Sequence, residues 1–117
     1  MNELLTKKDL IAFNREVGEK GDFSNESSLD FALSLAKTKR NWLYELSYLV
    51  RSLLVDYVFQ DGNKRTAFLV TVYSLEKNKK SFDKEKLLSV MKKIAKNNIT
   101  NPLKISRLIY HVIREEN

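Results

Sequence analysis

The sequence has no cysteine, and it has one histidine, His111, among its 117 residues. Without thiols the chain can form neither a disulfide framework nor a thiolate metal site, and a single imidazole cannot complete an all-protein zinc site. A chain without cysteine suits a reducing compartment, and we expect a cytoplasmic protein.

Long apolar stretches are also missing. No run approaches the roughly 20 apolar residues that a membrane-spanning helix needs. Residues 1–8 are too polar to hold the apolar core of a signal peptide. We therefore expect an unexported, soluble protein that has no membrane partner. The formal net charge of +6 favours anionic partners such as a nucleotide, nucleic acid or an acidic protein.

Helix-breaking residues are scarce, with 3 glycines and 1 proline, so their positions indicate where helices end. Apolar residues recur at spacings of three and four in six segments, and no segment alternates as a strand would. Four of the six predicted helices begin at natural caps, which are Thr6, Ser28, Asp83 and Asn101. A chain with 43% hydrophobic residues can fill one core. We predict a single domain, 1–117, that folds as a compact all-helical bundle.

The two middle helices flank the segment of most interest. The third carries apolar residues from Trp42 to Tyr57 and ends near Phe59. The fourth begins at about Asn63 and is apolar over most of its circumference, so it should be buried. Earlier in the chain, the polar, glycine-containing stretch 18–28 predicts an exposed loop or a short β-hairpin.

The segment between these helices carries the residues that could bind a ligand or take part in a reaction. They are Phe59, Gln60, Asp61, Gly62, Asn63, Lys64 and Arg65. A helix N-terminus offers unpaired N–H groups and the positive end of the helix dipole, to which phosphate binds. Gly62 lets the backbone approach a phosphate, and Lys64 and Arg65 add cationic donors. On these residues alone, an ordinary turn between two helices explains the pattern as well.

The remaining members of the segment have distinct predicted roles. Asp61 would repel a phosphate by itself, but it can hold Mg²⁺ beside one. Asn63 can fix the loop through side-chain hydrogen bonds, and Phe59 can anchor the loop in the core.

Residues 57–68 resemble the signature of the Fic/Doc family, which is His-x-Phe-x-[Asp/Glu]-[Gly/Ala]-Asn-[Gly/Lys]-Arg, where x is any residue. The positions from Phe59 to Arg65 match this signature, with Gln60 at its free position. With lysine at position 64, the loop is more similar to the death-on-curing (Doc) branch than to the Fic branch, which has glycine at that position. The similarity is specific at this loop and loose over most of the rest of the chain.

The resemblance implies a Fic/Doc-type helical bundle that binds ATP, or another nucleoside triphosphate, with Mg²⁺. Asp61 would hold the metal, and the cofactor-binding residues would be Phe59, Gly62, Asn63, Lys64 and Arg65. The catalytic residues would be Tyr57, at the position of the family's histidine, with Asp61, Lys64 and Arg65. The implied function is that of a Doc-like toxin. It would transfer the terminal phosphate, or a nucleoside monophosphate, to a hydroxyl of a target protein such as a translation factor.

The resemblance also implies partners. Residues 18–28 would clamp an extended stretch of the target by strand addition. The sequence lacks the Ser/Thr-x-x-x-Glu-[Gly/Asn] segment by which some Fic proteins inhibit themselves. We therefore expect a separate antitoxin protein, whose disordered segment covers the site.

Tyr57 stands where the family has its catalytic histidine, the base that takes the proton of the attacking hydroxyl. A phenol with a pKa of about 10 is roughly one part in a thousand ionised at neutral pH, and loss of a general base costs about 10²–10⁴-fold in rate. Three explanations stay open. The chain is an impaired relative that keeps its binding site, an enzyme that uses Tyr57 or another group as the base, or a toxin inactivated by loss of the histidine.

Two other functions fit the same sequence. A non-catalytic module could bind a nucleotide or a partner peptide in the same groove. A basic helical domain could bind nucleic acid, which we regard as the weakest of the three hypotheses and do not expect. We expect packing or surface roles for His111, Trp42, Tyr44 and Tyr48, and a solvated helix end at residues 77–80.

Overall fold

Helices make up most of the chain, joined by short loops and one pair of short strands. A computed structural model describes residues 5–36, 38 and 41–114, with the side chain of residue 36 excepted. The elements in chain order are α1 (Lys7–Glu16), α2 (Glu26–Ala36), α3 (Trp42–Leu54), α4 (Asn63–Lys77), β1 (Ser81–Phe82), α5 (Lys84–Lys96), α6 (Pro102–Tyr110) and β2 (Ile113–Arg114). The prediction of a compact, mostly helical domain is confirmed.

Two antiparallel helices, α3 and α4, form the centre of the bundle. Helix α3 packs against α2, α4 and α6, while α4 also packs against α1 and α5. Their inward faces supply a large part of a continuous apolar core, which includes Leu46, Val50, Leu53, Ala67, Val70 and Leu75. The predicted burial of the fourth helix is therefore confirmed, although Tyr73 on its outer face stays exposed.

Side-chain caps explain where most helices begin. The side chains of Thr6, Asn41, Asp83 and Asn101 each accept a hydrogen bond from a backbone N–H in the first turn of the helix that follows. Such caps satisfy donors that have no partner inside the helix. Pro102 occupies the first turn of α6, where its missing N–H costs nothing.

Two predicted helix boundaries are wrong. Helix α2 begins at Glu26 rather than after Ser28, because Asn25 is the residue whose side-chain oxygen accepts from the Ser28 N–H, at 3.3 Å. The Ser28 hydroxyl instead donates to the carboxylate of Asp56, at 2.7 Å.

Helix α3 ends at Leu54 rather than near Phe59. The backbone of Tyr57 has a φ of +51°, in the left-handed region that a right-handed helix cannot contain. The apolar spacing runs past this point because Val58 and Phe59 are buried from a loop, not from a helix.

The two strands were not predicted from the sequence. They pair antiparallel, with Ser81 opposite Arg114 and Phe82 opposite Ile113. Each strand has two residues, which is too short for an alternating pattern to be read. The pairing fixes the end of the described chain against the connection between α4 and α5. Within the described ranges, no helix has the length and apolar character to cross a bilayer.

Replacing Asp83 by alanine should lower the melting temperature at neutral pH, because Asp83 caps α5. The hydrogen bond from the Lys86 N–H and the charge of Arg114 hold the pKa of Asp83 below its ordinary value of 3.8. A lowered folded-state pKa stabilises the fold above the ordinary value, and this contribution is lost as the pH falls through the folded-state pKa. The difference in melting temperature between wild type and Asp83→Ala should therefore shrink below a pH of about 4.

Thermal unfolding over a pH series measures this difference. Asp83→Asn is the matched control, because it keeps a capping oxygen and loses the charge. A difference that persists unchanged in acid would show that the carboxylate charge contributes nothing.

Candidate functional site

The loop between α3 and α4 is closed by the side chain of its own asparagine. The Asn63 Oδ1 accepts the Phe59 N–H at 2.9 Å, and the Asn63 Nδ2 donates to the Phe59 carbonyl at 2.8 Å. Both residues are buried, and the Phe59 ring stacks on that of Phe23 with 5.2 Å between the ring centroids. The predicted roles of Asn63 as the loop's brace and of Phe59 as its anchor agree with this geometry.

Gly62 occupies the cap position of α4, and no side chain caps that helix. Its φ is +77°, a conformation that other residue types adopt at a cost. A Cβ at this position would also lie 2.5 Å from the Cγ of Glu19. Glycine therefore allows both the sharp turn into α4 and the close approach of Glu19.

A second buried amide, Asn14 in α1, holds the loop from behind. Its Nδ2 donates to the carbonyl of Asp61 at 3.0 Å and to the Thr66 hydroxyl at 3.1 Å. Its Oδ1 accepts the N–H of Gly21 at 2.8 Å. Asn14 was not predicted from the sequence, although its place one helical turn after buried Leu10 marks it as a polar residue on an apolar face.

The stretch predicted as a loop or hairpin pairs with this loop instead of with itself. The N–H groups of Ser24 and Asn25 donate to the Val58 carbonyl at 2.7 and 3.0 Å, and the Gln60 N–H donates to the Asp22 carbonyl at 3.0 Å. Phe23 and Phe59 form an antiparallel bridge between the two segments. One edge of the stretch is thus occupied within the chain, and a target strand could add only at its other edge.

Arg65, a predicted phosphate ligand, is engaged with groups of the chain itself. Its Nη1 donates to the Val17 carbonyl at 2.6 Å, and its Nη2 pairs with the carboxylate of Glu19. Glu19 lies beside Gly62, so a carboxylate sits at the start of α4. An anion that reaches Arg65 must first displace this carboxylate.

The other predicted site residues point outward from the same loop. Asp61 and Lys64 are exposed, and 58% of the Tyr57 surface is exposed. In the described part of the chain, no group of three or more acidic or histidine side chains could hold a metal by itself. A metal at Asp61 would therefore need most of its ligands from water and from a bound phosphate.

The residues that were predicted to be structural are found away from this loop. His111 follows the last residue of α6 and is exposed. Tyr44 and Tyr48 contact each other on α3, with 3.3 Å between their hydroxyl oxygens. Trp42 is half-buried and packs against the core.

Comparison with protein-family models finds no family that matches the chain. A comparison with curated protein sequences finds no significant match either. The loop's geometry and the local resemblance are thus the grounds for a functional hypothesis.

Asn63→Ala should destabilise the fold by about 2 kcal/mol or more, because it leaves the N–H and carbonyl of Phe59 buried without their partners. Lys64→Ala is the matched control in the next position. It changes an exposed side chain and should alter stability by less than about 0.5 kcal/mol. Urea unfolding of both variants measures the two changes, and equal stabilities would refute the bracing role of Asn63.

Proposed function

We propose that the loop of residues 59–65 binds the phosphates of a nucleoside triphosphate, and that the chain is a Doc-like phosphotransferase toxin impaired at proton transfer. The observation that carries this proposal is the braced loop, which ends at a helix start without a side-chain cap. The local resemblance to the Fic/Doc signature adds the nature of the ligand and of the reaction.

The start of α4 differs from the other helix starts in what surrounds it. Its first turn carries the exposed cations Lys64 and Arg65 and no acidic residue. Unpaired N–H groups, the helix dipole and two cations all favour an anion at this position. Gly62 has no side chain to cap α4 as Thr6 and Asp83 cap their helices, so the group that a phosphate must displace there is the side chain of Glu19.

Asp61 suits a magnesium ligand within this proposal. Its carboxylate is exposed beside the start of α4, where phosphate oxygens would lie. Mg²⁺ is commonly held by one or two carboxylates together with phosphates and water. The ion would neutralise charge that develops on the phosphates, and Asp61 would orient it.

The proposed reaction is transfer of the terminal phosphate of ATP to a protein hydroxyl. The hydroxyl oxygen bonds to the terminal phosphorus, the bond to the bridging oxygen breaks, and ADP leaves. A base must take the hydroxyl proton, and Tyr57 occupies the position from which the family's histidine acts. A phenol accepts that proton poorly at neutral pH, so transfer should be slow.

The proposed biological setting is a toxin–antitoxin pair. The target would be a protein such as a translation factor, and the antitoxin would cover the loop with a disordered segment. Glu19 adds a competitor from within the chain, since its carboxylate occupies Arg65. Glu19 does not belong to a Ser/Thr-x-x-x-Glu-[Gly/Asn] segment, and its proximity to Arg65 comes from the turn at residues 17–21.

A non-catalytic binding module is the second candidate. The exposed Tyr57 ring beside a phosphate-binding loop favours it, because an aromatic surface suits contact with a nucleotide or a peptide. Both candidates require the loop to bind an anion, and only the first requires turnover.

Titration of ATP with Mg²⁺ should show binding that depends on Lys64. Lys64→Gln removes an exposed cation that has no described structural partner, and it should weaken binding roughly fivefold. Glu19→Gln should tighten binding, because it removes the carboxylate that competes for Arg65. Isothermal titration calorimetry of both variants measures these opposite changes.

Lys92→Gln, at an exposed position of α5, is the charge-matched control and should bind as wild type does. Arg65→Ala and Asn63→Ala are poor tests, because both side chains also hold the loop in place. Equal affinities for wild type, Lys64→Gln and Glu19→Gln would overturn the proposal.

Tyr57→His should raise transfer by about 10²–10⁴-fold, because imidazole accepts a proton near neutral pH. Histidine also tolerates the positive φ of this position better than most residues. ATP labelled on its terminal phosphate should label a protein in an extract of the source cells, and ATP labelled on adenosine should not. Tyr57→Phe is the control that removes any proton transfer by the phenol.

A Tyr57→His variant that binds ATP with Mg²⁺ and transfers nothing would leave the binding module as the function. A variant that transfers the adenosine label instead would correct the reaction to nucleotide transfer.

A further inference from the structure

A cavity of about 590 Å³ lies at the end of the bundle opposite the loop of residues 59–65. It forms where the start of α3, the segment after α4 and strand β2 meet. Helix α3 has 13 residues, which places its two ends about 18 Å apart. The cavity is therefore separate from the proposed phosphate-binding loop.

The charged residues in the cavity wall are all cationic. Lys79, Lys80 and Arg114 line it, and among the described residues no carboxylate does. No described carboxylate pairs with either lysine amine, and Arg114 lies 3.8 Å from a carboxylate oxygen of Asp83. The stretches that contribute the described wall, residues 41–43, 79–81 and 110–114, contain no acidic residue. The wall therefore favours an anion.

Backbone hydrogen bonds fix the main chain from which these cationic side chains extend. Lys79 has a φ of +57°, in a turn where its N–H donates to the Glu76 carbonyl at 3.0 Å and the Lys80 N–H donates to the Leu75 carbonyl at 2.9 Å. The next residue, Ser81, pairs with Arg114 across the two strands. The three cations thus come from one turn and one strand pair rather than from separate mobile loops.

Two aromatic residues complete the wall. Trp42 is half-buried, with part of its surface against the core, and Tyr110 is 53% exposed at the end of α6. Aromatic rings beside cations are the combination by which proteins hold nucleotides, because the base stacks on a ring and the phosphate pairs with the cations. The volume lies within the range of small-ligand sites, about 300–1,000 Å³.

We propose that this cavity binds a nucleotide, with its base against Trp42 or Tyr110 and its phosphate against Lys79, Lys80 and Arg114. The nucleotide is either free or one residue of a single strand, since both present the same base and phosphate. This adds a second anion site to the protein. It also gives Trp42 a binding role beside the packing role predicted from the sequence.

Trp42 makes the test local, because it is the only tryptophan of the chain. Titration with AMP, without Mg²⁺, should quench tryptophan fluorescence to a saturable limit. A short single-stranded oligoadenylate should do the same. Much tighter, salt-sensitive binding of the oligonucleotide would assign the site to single strands, and equal binding per nucleotide would assign it to free nucleotides.

The double variant Lys79→Gln/Lys80→Gln should weaken AMP binding at least about tenfold. Lys92→Gln/Lys104→Gln removes the same charge from exposed positions outside the cavity and should bind AMP as wild type does. Equal weakening in both double variants would reduce the effect to net charge and overturn the proposal. Circular dichroism establishes that each variant is folded.

Three further measurements distinguish nucleotide binding in this cavity from binding at the loop of residues 59–65, from general anion binding and from binding of an acidic peptide. Lys64→Gln should leave the quenching curve unchanged, and a shift would mean that the signal arises from the loop of residues 59–65. Inorganic phosphate at the same concentration should quench far less than AMP. Equal quenching by phosphate, or equal competition by polyglutamate, would overturn the nucleotide assignment in favour of a general anion or an acidic peptide.

The two acidic residues that follow Arg114 in the sequence, Glu115 and Glu116, lie outside the described residues. Neutralising them as Glu115→Gln/Glu116→Gln should leave AMP binding unchanged or tighten it, because removing negative charge from the protein does not weaken its attraction for an anion. Weaker binding in this variant would contradict an anionic ligand.

Discussion

Two buried asparagine side chains set the shape of the loop on which the proposed function depends. Asn63 holds the N–H and carbonyl of Phe59, and Asn14 holds the carbonyl of Asp61 from the neighbouring helix. A buried amide that lost these partners would cost more than an apolar side chain in its place, so each asparagine specifies one loop conformation. No side chain caps α4, and the two asparagines support the loop from behind it instead.

The same turn that completes this support brings a carboxylate to the cations. Residues 17–21 pass over the loop because Asn14 accepts the Gly21 N–H, and this path places Glu19 against Gly62 and Arg65. The Glu19 carboxylate pairs with the cation that a phosphate would use. It therefore stabilises the closed loop and competes with the proposed ligand through one interaction.

The helices could be predicted from the sequence to the extent that local signals determine them. Thr6, Asp83 and Asn101 cap helices where the sequence predicts caps, since a cap needs only neighbours in the chain. The predicted end of α3 was wrong because the buried residues Val58 and Phe59 continue the apolar spacing beyond the end of the helix. The strand pair, the Asn14 contacts and the Glu19–Arg65 pair join residues distant in sequence, and no local pattern encodes them.

The two groups of cations to which we assign anion binding differ in their acidic neighbours. At the start of α4, the cations lie beside Asp61 and Glu19, so the local field is mixed and an anion gains most if it brings Mg²⁺ or displaces Glu19. At the opposite end, Lys79, Lys80 and Arg114 line a cavity in which no described residue contributes a carboxylate. Among the described carboxylates, Asp83 lies 3.8 Å from Arg114, and an anion that binds there would compete with it. The two sites should therefore differ in their dependence on Mg²⁺, and this difference follows from where acidic residues stand rather than from the number of lysines.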